Sequence, residues 1–296
     1  MPKTEQFQWY TEQFAPSEIH AHAIDETYYV GRTEFQSVAV LSTPLFGKLL
    51  VLDGDTQSSQ ADERIYHETL VHPALGAVDD RAAVLILGGG EGATLREVLR
   101  DSSVRRCTMV DIDGRVVELA QRYLREWSDG AFDDPRAQVV IADAVRFLVE
   151  DGGTYGVIIS DLTEPRPDSP SFPLFNGEVF RSIKARLAPG GVYVLQASTA
   201  GFHTMALHAK MARSLRPHFR SVRSFYTHVP SFDNDWAFLA CSDAVDVAAT
   251  DPARIDAYVD ALRGENWFYD AETHRRLFAL PRYLRAELAK DGDVFA

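Results

Sequence analysis

The sequence predicts an α/β protein with two parts: a small antiparallel β domain, then a Rossmann-like domain built on a mainly parallel sheet. Three observations support this prediction. Apolar strands and helical segments alternate between residues 83 and 196, the pattern of a parallel sheet with helical crossovers. Short β-rich runs separated by turn residues fill positions 27–60. The chain has 296 residues, 46% of them hydrophobic, which is enough to bury a large core.

The first predicted elements are short strands rich in β-branched and aromatic residues. They cover residues 27–30, 35–40 and 48–52, and turn residues separate them. A helical segment over 63–75 then leads into the alternating region. We therefore expect an N-terminal β-sheet domain with its linking helix over residues 1–76. A Rossmann-like domain with a helical C-terminal tail should follow over residues 77–296.

The later elements follow from periodicity and turn residues. Residues 115–127 show one apolar helical face, and a second helix is expected over 205–215. Two strands at 222–227 and 236–241 should pair as an antiparallel hairpin, and the last fifty residues should be helical. The one extended loop, 162–176, is rich in Pro, Ser and Asp, and a loop of this kind beside a ligand crevice is often a lid.

Composition and charge disfavour several classes of function. The formal net charge of -13 argues against a nucleic-acid partner, because phosphate binding relies on Lys and Arg. No apolar run approaches the ~20 residues of a membrane-spanning helix, and residues 1–5 lack a signal-peptide core. A cytoplasmic protein without membrane contact is therefore expected. Cys107 and Cys241 lie far apart without metal-ligand spacing, so we expect two buried thiols and no metal site.

A glycine turn follows the first apolar strand of the alternating region, with the sequence LGGGEG over residues 87–92. Turns of this kind normally offer backbone N–H groups and a helix N-terminus to an anion. Glu91 places a carboxylate there instead, which favours a cationic ligand. Gly88, Gly90 and Ala93 also fit the loose G-x-G-x-x-A dinucleotide pattern, so a nicotinamide cofactor stays an alternative at this point.

Acidic residues recur at the ends of successive predicted strands. Glu91 is followed by Asp111, Asp143 and Asp161, each after an apolar run. In a doubly wound sheet, ligands lie across the carboxyl ends of the strands, so the four side chains should converge on one crevice. Each acid could instead be a helix N-cap, and this alternative is strongest for Asp143. Asp111 lies where a ribose-binding acid belongs, which suits NAD and S-adenosylmethionine equally.

Several motifs together point to one family. FGKLLVLDG at 46–54 precedes Gln57, and the remaining motifs are DERIYHE at 62–68, HP at 72–73, GGGEGATLREV at 88–98, MVDID at 109–113 and DLTEP at 161–165. Over nearly its whole length the chain resembles the polyamine aminopropyltransferases, which include spermidine synthase. The stretch YTHVPSF at 226–232, with Trp236, is most similar to thermospermine synthase and to the agmatine or triamine enzymes of thermophiles.

The resemblance implies a class I methyltransferase-type fold that transfers an aminopropyl group from decarboxylated S-adenosylmethionine to a polyamine. Methylthioadenosine would be the by-product, and neither a prosthetic group nor a metal is implied. By resemblance, Glu91 would bind the aminopropyl ammonium, Asp111 the ribose hydroxyls and Asp143 the adenine amino group. The complete set of implied donor-binding residues is Gln36, Gln57, Gly88, Gly90, Glu91, Asp111 and Asp143.

The resemblance also implies an acceptor side. Asp161 matches the general-base position of the family, and Tyr66 would place the attacking amine. Glu164 stands where most members have Asp, and Phe232 stands where spermidine synthases often have Tyr, so both bear on which amine is accepted. The implied acceptor-binding residues are Tyr66, His67, Glu164, Phe232 and Trp236. For His67 a packing role is as well supported as contact with substrate.

Three other functions stay open. A methyltransferase would keep the fold, although Glu91 would repel the carboxylate of intact S-adenosylmethionine. A nicotinamide oxidoreductase would place Glu91 against a pyrophosphate, and no hydride-transfer pair of Lys and Tyr is evident. A polyamine-binding homologue would bind without turnover. The sequence does not select among putrescine, agmatine, cadaverine and spermidine, and family precedent implies a homodimer or homotetramer.

Overall fold

Two small β layers form the N-terminal part of the chain. The structure, a computed structural model, describes residues 7–15 and 17–295, so the prediction on residues 1–5 falls outside it. A hairpin that the sequence did not predict comes first, followed by the expected antiparallel sheet in the order β3-β4-β5-β6. These strands are β1 (Gln8–Ala15), β2 (Glu18–Ile24), β3 (Glu26–Arg32), β4 (Ser37–Thr43), β5 (Gly47–Leu52) and β6 (Asp55–Ser59).

A seven-stranded sheet forms the centre of the second part, which confirms the predicted fold class. Its strands are β7 (Ala83–Gly88), β8 (Arg106–Asp111), β9 (Ala137–Ile141), β10 (Tyr155–Asp161), β11 (Leu187–Thr199), β12 (Ser221–Val229) and β13 (Asn234–Ser242). Their order is β12-β13-β11-β10-β7-β8-β9. The five strands from β11 to β9 are parallel, and β13 pairs antiparallel with both β11 and β12, as the predicted hairpin requires.

Helices cover both faces of this sheet. They are α1 (Glu63–Ala77), α2 (Ala93–Leu99), α3 (Gly114–Tyr123), α4 (Arg125–Ser128), α5 (Ala144–Glu150), α6 (Gly177–Arg186), α7 (Ala206–Leu215), α8 (Pro252–Asp260), α9 (Ala271–Leu277) and α10 (Arg282–Leu288). No helix within the described ranges is long and apolar enough to cross a membrane. Cys107 and Cys241 are buried free thiols, as expected.

The prediction of one helix over 115–127 was wrong in one respect. The helix stops at Tyr123, and Leu124 has φ -122° and ψ 39° before the chain resumes as the single turn α4. The bend places Trp127 in the core, where its indole N–H donates to Ser58 Oγ over 2.9 Å. Packing against the N-terminal sheet therefore overrides the local helical pattern.

Helix α1 is buried along nearly its whole length although it carries several ionisable side chains. It packs against α2, β11 and α8 of the second part. Glu68 accepts hydrogen bonds from the backbone N–H groups of Trp267, Phe268 and Tyr269, which fixes the C-terminal region to this helix. The helix therefore connects the N-terminal sheet, the large sheet and the tail. The division of the chain near residue 76 stays a proposal.

The glycine turn after β7 yields a test of the local backbone. Gly88 has φ +81°, and a Cβ there would clash with the carbonyl oxygen of Asp161. Gly130 has a similar φ of +80°, and a Cβ there would have no atom within 4 Å. A substitution at Gly130 therefore measures the cost of the backbone conformation alone. We expect Gly88→Ala to lower the free energy of unfolding by about 3 kcal/mol and Gly130→Ala by about 1 kcal/mol. Denaturant unfolding measures both values, and equal losses would contradict the steric account.

Candidate active site

The strand order arranges four carboxylates in a row. Reading across β10, β7, β8 and β9, the acids at or just beyond the strand ends are Asp161, Glu91, Asp111 and Asp143. Neighbouring strands lie about 4.8 Å apart, so the row extends over roughly 14 Å. All four acids line one cavity, which confirms the predicted convergence. Asp143 is also the N-cap of α5, because its Oδ1 accepts from Val145 N over 2.7 Å.

Three glycines let the turn after β7 approach the neighbouring strands. Gly88 lies against the Asp161 backbone, and Gly89 N–H donates to the Asp161 carbonyl over 2.9 Å. A Cβ on Gly90 would come within 2.7 Å of Asp111 Oδ2. All three glycines line the cavity, so this turn forms the wall between Asp161 and Asp111.

A buried chain of alternating charges holds Glu91. His67 Nε2 lies 2.7 Å from Glu91 Oε1, and His67 Nδ1 lies 2.9 Å from Glu63 Oε2. Arg96 contacts Glu63 through two nitrogens, each at 2.9 Å. Burial alone would lower the pKa of His67, but the carboxylates of Glu91 and Glu63 outweigh it and raise that pKa well above its usual value. A protonated imidazole donates through both nitrogens, to Glu63 and to Glu91.

The second oxygen of Glu91 is tied to the N-terminal sheet. Ser58 Oγ donates to Glu91 Oε2 over 2.6 Å, and Trp127 donates to the same Ser58. Glu91 is only 8% exposed, and it lines the cavity. His67 also lines the cavity, but both of its ring nitrogens are already engaged by carboxylates. The geometry therefore makes His67 a partner of Glu91, and direct contact with substrate stays a prediction.

Asp113 connects Asp111, which lines the cavity, to the N-terminal sheet. Its Oδ2 accepts from Gln36 Nε2 over 3.0 Å and from Thr33 Oγ1 over 2.6 Å, while its Oδ1 caps α3. The Asp113 N–H in turn donates to Asp111 Oδ1 over 2.8 Å. Burial raises the pKa of Asp111 to about 6, against the opposing effect of that backbone hydrogen bond. Gln57 lies where this cavity meets a second one.

Two hydroxyl groups hold the carboxylate of Asp161. Tyr66 donates to Oδ1 over 2.8 Å, and Thr94 donates to Oδ2 over 2.5 Å. Burial, followed by the nearby Asp161 charge, raises the pKa of Tyr66 well above its usual value, so its hydroxyl keeps its proton. Thr94 was not among the residues predicted from the sequence. Its contact with Asp161 could have been predicted, because a hydroxyl residue in the first turn of the helix after a glycine turn lies close to the neighbouring strand end.

A second cavity of about 1280 Å³ continues from Tyr66 and Gln57. Its wall includes Phe232 and Trp236, whose rings lie 4.9 Å apart, and Phe232 also contacts Tyr66 at 6.2 Å. Glu164 lines this cavity too. The predicted acceptor residues Tyr66, Glu164, Phe232 and Trp236 thus surround one space, while His67 lies in the first cavity.

A break in β11 positions the loop that carries Glu164. The register of β11 on β13 shifts between Gln196 and Thr199, and Ser198 there has φ +63°. Gln196 Nε2 donates to the Leu162 carbonyl over 2.5 Å, and Ser198 Oγ donates to Glu164 Oε1. Sequence reasoning missed both residues because no local pattern marks a left-handed serine. The strained left-handed backbone of Ser198 therefore lies beside the loop that it positions.

The loop over 162–176 lies beside the crevice, as predicted. It is irregular apart from a short 3-10 turn at Phe172–Leu174. Pro173 and Leu174 line the first cavity, whereas Arg166 and Asp168 line the second. The loop therefore borders both cavities, and lid motion stays a prediction. Within the described part of the chain, no cluster of three His, Cys, Asp or Glu side chains could hold a metal ion.

The raised pKa of His67 has a consequence for stability. A histidine whose folded pKa exceeds its unfolded value of about 6.5 stabilises the fold fully below that pH, and the stabilisation is lost as pH rises through the folded pKa. Replacing His67 with Gln should therefore lower the melting temperature most near pH 6, and the difference should shrink toward alkaline pH. Thermal unfolding from pH 6 to 10 measures it.

The matched control is His228→Gln, which alters a half-exposed histidine 3.4 Å from Asp235. Its effect should be small at every pH because exposed pairs contribute little. A His67→Gln penalty that stays constant from pH 6 to 10 would contradict a protonated His67.

Comparison with known proteins identifies the family. The spermine/spermidine synthase domain matches residues 63–250, and the spermidine synthase tetramerisation domain matches residues 8–60. A polyamine aminopropyltransferase of Sulfolobus acidocaldarius is 43% identical over 97% of this chain and 95% of its own. One from Aeropyrum pernix is 45% identical over 80% of this chain and 76% of its own.

Solved structures agree with the sequence relatives. A crystal structure of spermidine synthase in complex with the transition-state analogue AdoDATO superposes with a TM-score of 0.89 at 30% identity, covering 96% of this chain and 95% of the other. Spermidine synthase from Thermotoga maritima gives a TM-score of 0.86 at 29% identity, covering 96% and 94%. The tetramerisation match supports a homo-oligomer. The chain therefore belongs to the spermine/spermidine synthase family and is a polyamine aminopropyltransferase.

Proposed function

We propose that the row of four carboxylates binds decarboxylated S-adenosylmethionine along its length and that Asp161 is the base for aminopropyl transfer. The observation that carries the proposal is the strand order, which places Asp143, Asp111, Glu91 and Asp161 in sequence across the cavity. In this arrangement Asp143 accepts from the adenine amino group and Asp111 from the ribose hydroxyls. Glu91 then lies beside the aminopropyl ammonium, and Asp161 lies at the end of the row that the acceptor amine approaches.

The charge of Glu91 explains the choice of donor. Intact S-adenosylmethionine carries a carboxylate that the decarboxylated donor lacks, and a buried carboxylate such as Glu91 repels it. The protonated His67 lies 2.7 Å from Glu91 and balances one unit of this charge. Gln36 and Gln57 close the donor cavity from the N-terminal sheet, and Gly88 and Gly90 let the donor approach the backbone.

The reaction needs a deprotonated amine. A primary amine has a pKa near ~10.4, so at neutral pH its lone pair is nearly always protonated. Asp161 accepts that proton, and the nitrogen attacks the methylene carbon beside the sulfonium. The carbon–sulfur bond breaks, and its electron pair stays on the sulfur of methylthioadenosine. Tyr66 and Thr94 hold the Asp161 carboxylate in one orientation while the charge on it is neutralised.

The second cavity supplies the acceptor site. Aromatic rings of Tyr66, Phe232 and Trp236 form one wall, and Glu164 lies within the same space. Methylene segments of a polyamine pack on such rings, and its distal ammonium groups pair with carboxylates. We propose an acceptor with a primary amine at Asp161 and a further cationic group at Glu164. Putrescine, agmatine, cadaverine and spermidine all meet this description.

Two alternatives use the same fold. Methyl transfer from intact S-adenosylmethionine is disfavoured, because the Glu91 side chain would repel the carboxylate of that cofactor. A non-catalytic polyamine-binding homologue would need no base, whereas here two hydroxyls hold Asp161 in the cavity. We further propose assembly as a homodimer or homotetramer through the N-terminal part, where Trp9, Ile19 and Val30 are exposed. The proposed location is the cytoplasm.

Replacing Asp161 with Asn should abolish the reaction. Asn keeps the shape and can still accept from Tyr66, but it cannot take the amine's proton, so we expect turnover to fall at least 10³-fold. The donor should bind within a few-fold of wild type. Incubation with decarboxylated S-adenosylmethionine and each candidate amine, with methylthioadenosine release and product mass as readouts, tests this and identifies the acceptor. Turnover near the wild-type level in Asp161→Asn would contradict the role of Asp161.

Donor binding should depend on Asp111 ionisation. Because the Asp111 pKa is about 6 in the free protein, the carboxylate that accepts from ribose is lost as pH falls through that value. We expect donor affinity to fall by up to tenfold per pH unit below about 6. Calorimetric titration between pH 5 and 8 measures it. The Asp111→Asn variant should bind the donor more weakly at pH 8, and its affinity should not fall further below about pH 6. If its affinity varied with pH as in the wild type, Asp111 would not be the titrating group.

A further inference from the structure

Arg166 is a cation inside the cavity proposed to receive a cation. Its Nη1 lies 2.6 Å from Asp55 Oδ2, and its Nη2 lies 3.1 Å from Glu164 Oε2. Asp55 belongs to β6 of the N-terminal sheet, whereas Glu164 belongs to the loop after β10. Both carboxylates line the second cavity together with Arg166 itself. The guanidinium therefore bridges the two walls between which a polyamine would pass.

The remaining charges of this cavity are mostly acidic. Carboxylates outnumber cationic side chains among its described lining residues, which suits a ligand with several ammonium groups. The acids are Glu12, Asp53, Asp55, Glu164 and Asp168. The permanent cations are Arg32 and Arg166. Of these two, Arg166 is the one that forms ion pairs with two of the acids.

A guanidinium at this position resembles a bound substrate ammonium. It is always charged, and it donates hydrogen bonds to the same carboxylate oxygens that an ammonium would use. We propose that Arg166 is a built-in competing cation that occupies the distal-amine positions at Glu164 and Asp55 and thereby sets which acceptors bind. The proposal rests on the aminopropyl transfer described above. It makes Arg166 a determinant of acceptor specificity.

The contacts of Arg166 are weak enough to be displaced. Its side chain is 50% exposed, and those of Asp55 and Glu164 are 26% and 21% exposed. Ion pairs at such sites shift an equilibrium by no more than about fivefold, so an incoming ammonium can replace the guanidinium at modest cost. Glu164 itself stays in place, because Ser198 Oγ donates to its other oxygen. The carboxylate is fixed, and the cation on it is exchangeable.

The backbone around Arg166 limits where its side chain can go. Prolines precede and follow it at 165 and 167, which restricts the loop. Arg166 N–H donates to the Glu164 carbonyl over 2.8 Å, and Ser169 Oγ donates to the Arg166 carbonyl over 2.9 Å. The loop is therefore a tight turn from which the guanidinium reaches the cavity.

Two carboxylates on one guanidinium imply a dependence on acceptor length. A diamine with its reacting nitrogen at Asp161 has one distal ammonium and needs Arg166 to release only Glu164. A triamine carries one more ammonium group, and this group must also displace the guanidinium from Asp55. Arg166 should therefore weaken triamine binding more than diamine binding.

The test compares Arg166→Gln with wild type for putrescine and spermidine, with methylthioadenosine release as the readout. We expect the KM for spermidine to fall about fivefold, the KM for putrescine to fall less than twofold, and kcat to change less than twofold for both. Arg166→Lys keeps a cation, so its KM for spermidine should lie close to the wild-type value. An unchanged or higher spermidine KM in Arg166→Gln would overturn the proposal.

A matched control and a second background separate competition from general effects. Arg223 is also 50% exposed and pairs with Asp246 away from both cavities, so Arg223→Gln should leave every KM unchanged. In a Glu164→Gln background, Arg166→Gln should improve spermidine binding by a smaller factor, because one of the two contested carboxylates is gone and only Asp55 remains. A gain of full size in that background would overturn the proposal.

Binding without turnover gives an independent readout. Calorimetric titration of spermidine into the Asp161→Asn protein, with and without Arg166→Gln, should show tighter binding in the double variant. If the wild-type protein releases no methylthioadenosine with any amine, the proposed reaction fails, and this titration still decides whether Arg166 competes. Equal dissociation constants in the two proteins would refute competition by Arg166.

Discussion

The ion pair between His67 and Glu91 is the interaction on which the site depends. An unpaired buried charge costs several kcal/mol, so the carboxylate of Glu91 in the glycine turn needs the cation that His67 places beside it. That cation is itself buried and needs Glu63, which in turn needs Arg96. The chain of partners runs through α1 and α2 and reaches Ser58 of the N-terminal sheet. One carboxylate that lines the cavity is thus supported by residues of α1, α2 and the N-terminal sheet.

The order of strands in the large sheet determines the order of the chemistry. Adenine, ribose, aminopropyl chain and acceptor amine form a line in the proposed complex, and the acids that meet them come from β9, β8, the turn after β7 and β10. The donor cavity and the acceptor cavity meet at Tyr66 and Gln57. Tyr66 is a suitable boundary, because its ring faces the acceptor side while its hydroxyl holds Asp161. The proposed reaction would therefore take place where the two cavities join.

Sequence reasoning found what is encoded locally. The acids at strand ends, the glycine turn and the alternation of strands and helices are all short-range signals, and they predicted the sheet and the residues that line its crevice. It missed what depends on contacts distant in sequence. The break at Leu124 follows from packing of Trp127 on Ser58, and the pairing of Asp113 with Gln36 joins residues 77 positions apart. The arrangement of the second cavity was harder to predict, because Arg166 there contacts Asp55 from the other part of the chain.

In the proposed reaction, the Glu91 side chain selects the decarboxylated donor. The most direct measurement compares the dissociation constants of decarboxylated and intact S-adenosylmethionine for the wild-type protein and for Glu91→Gln. Repulsion by one buried carboxylate predicts that the wild type prefers the decarboxylated donor by about 100-fold or more, and that Gln narrows this preference at least tenfold, partly by binding the intact cofactor better. An equal preference in both proteins would contradict the account.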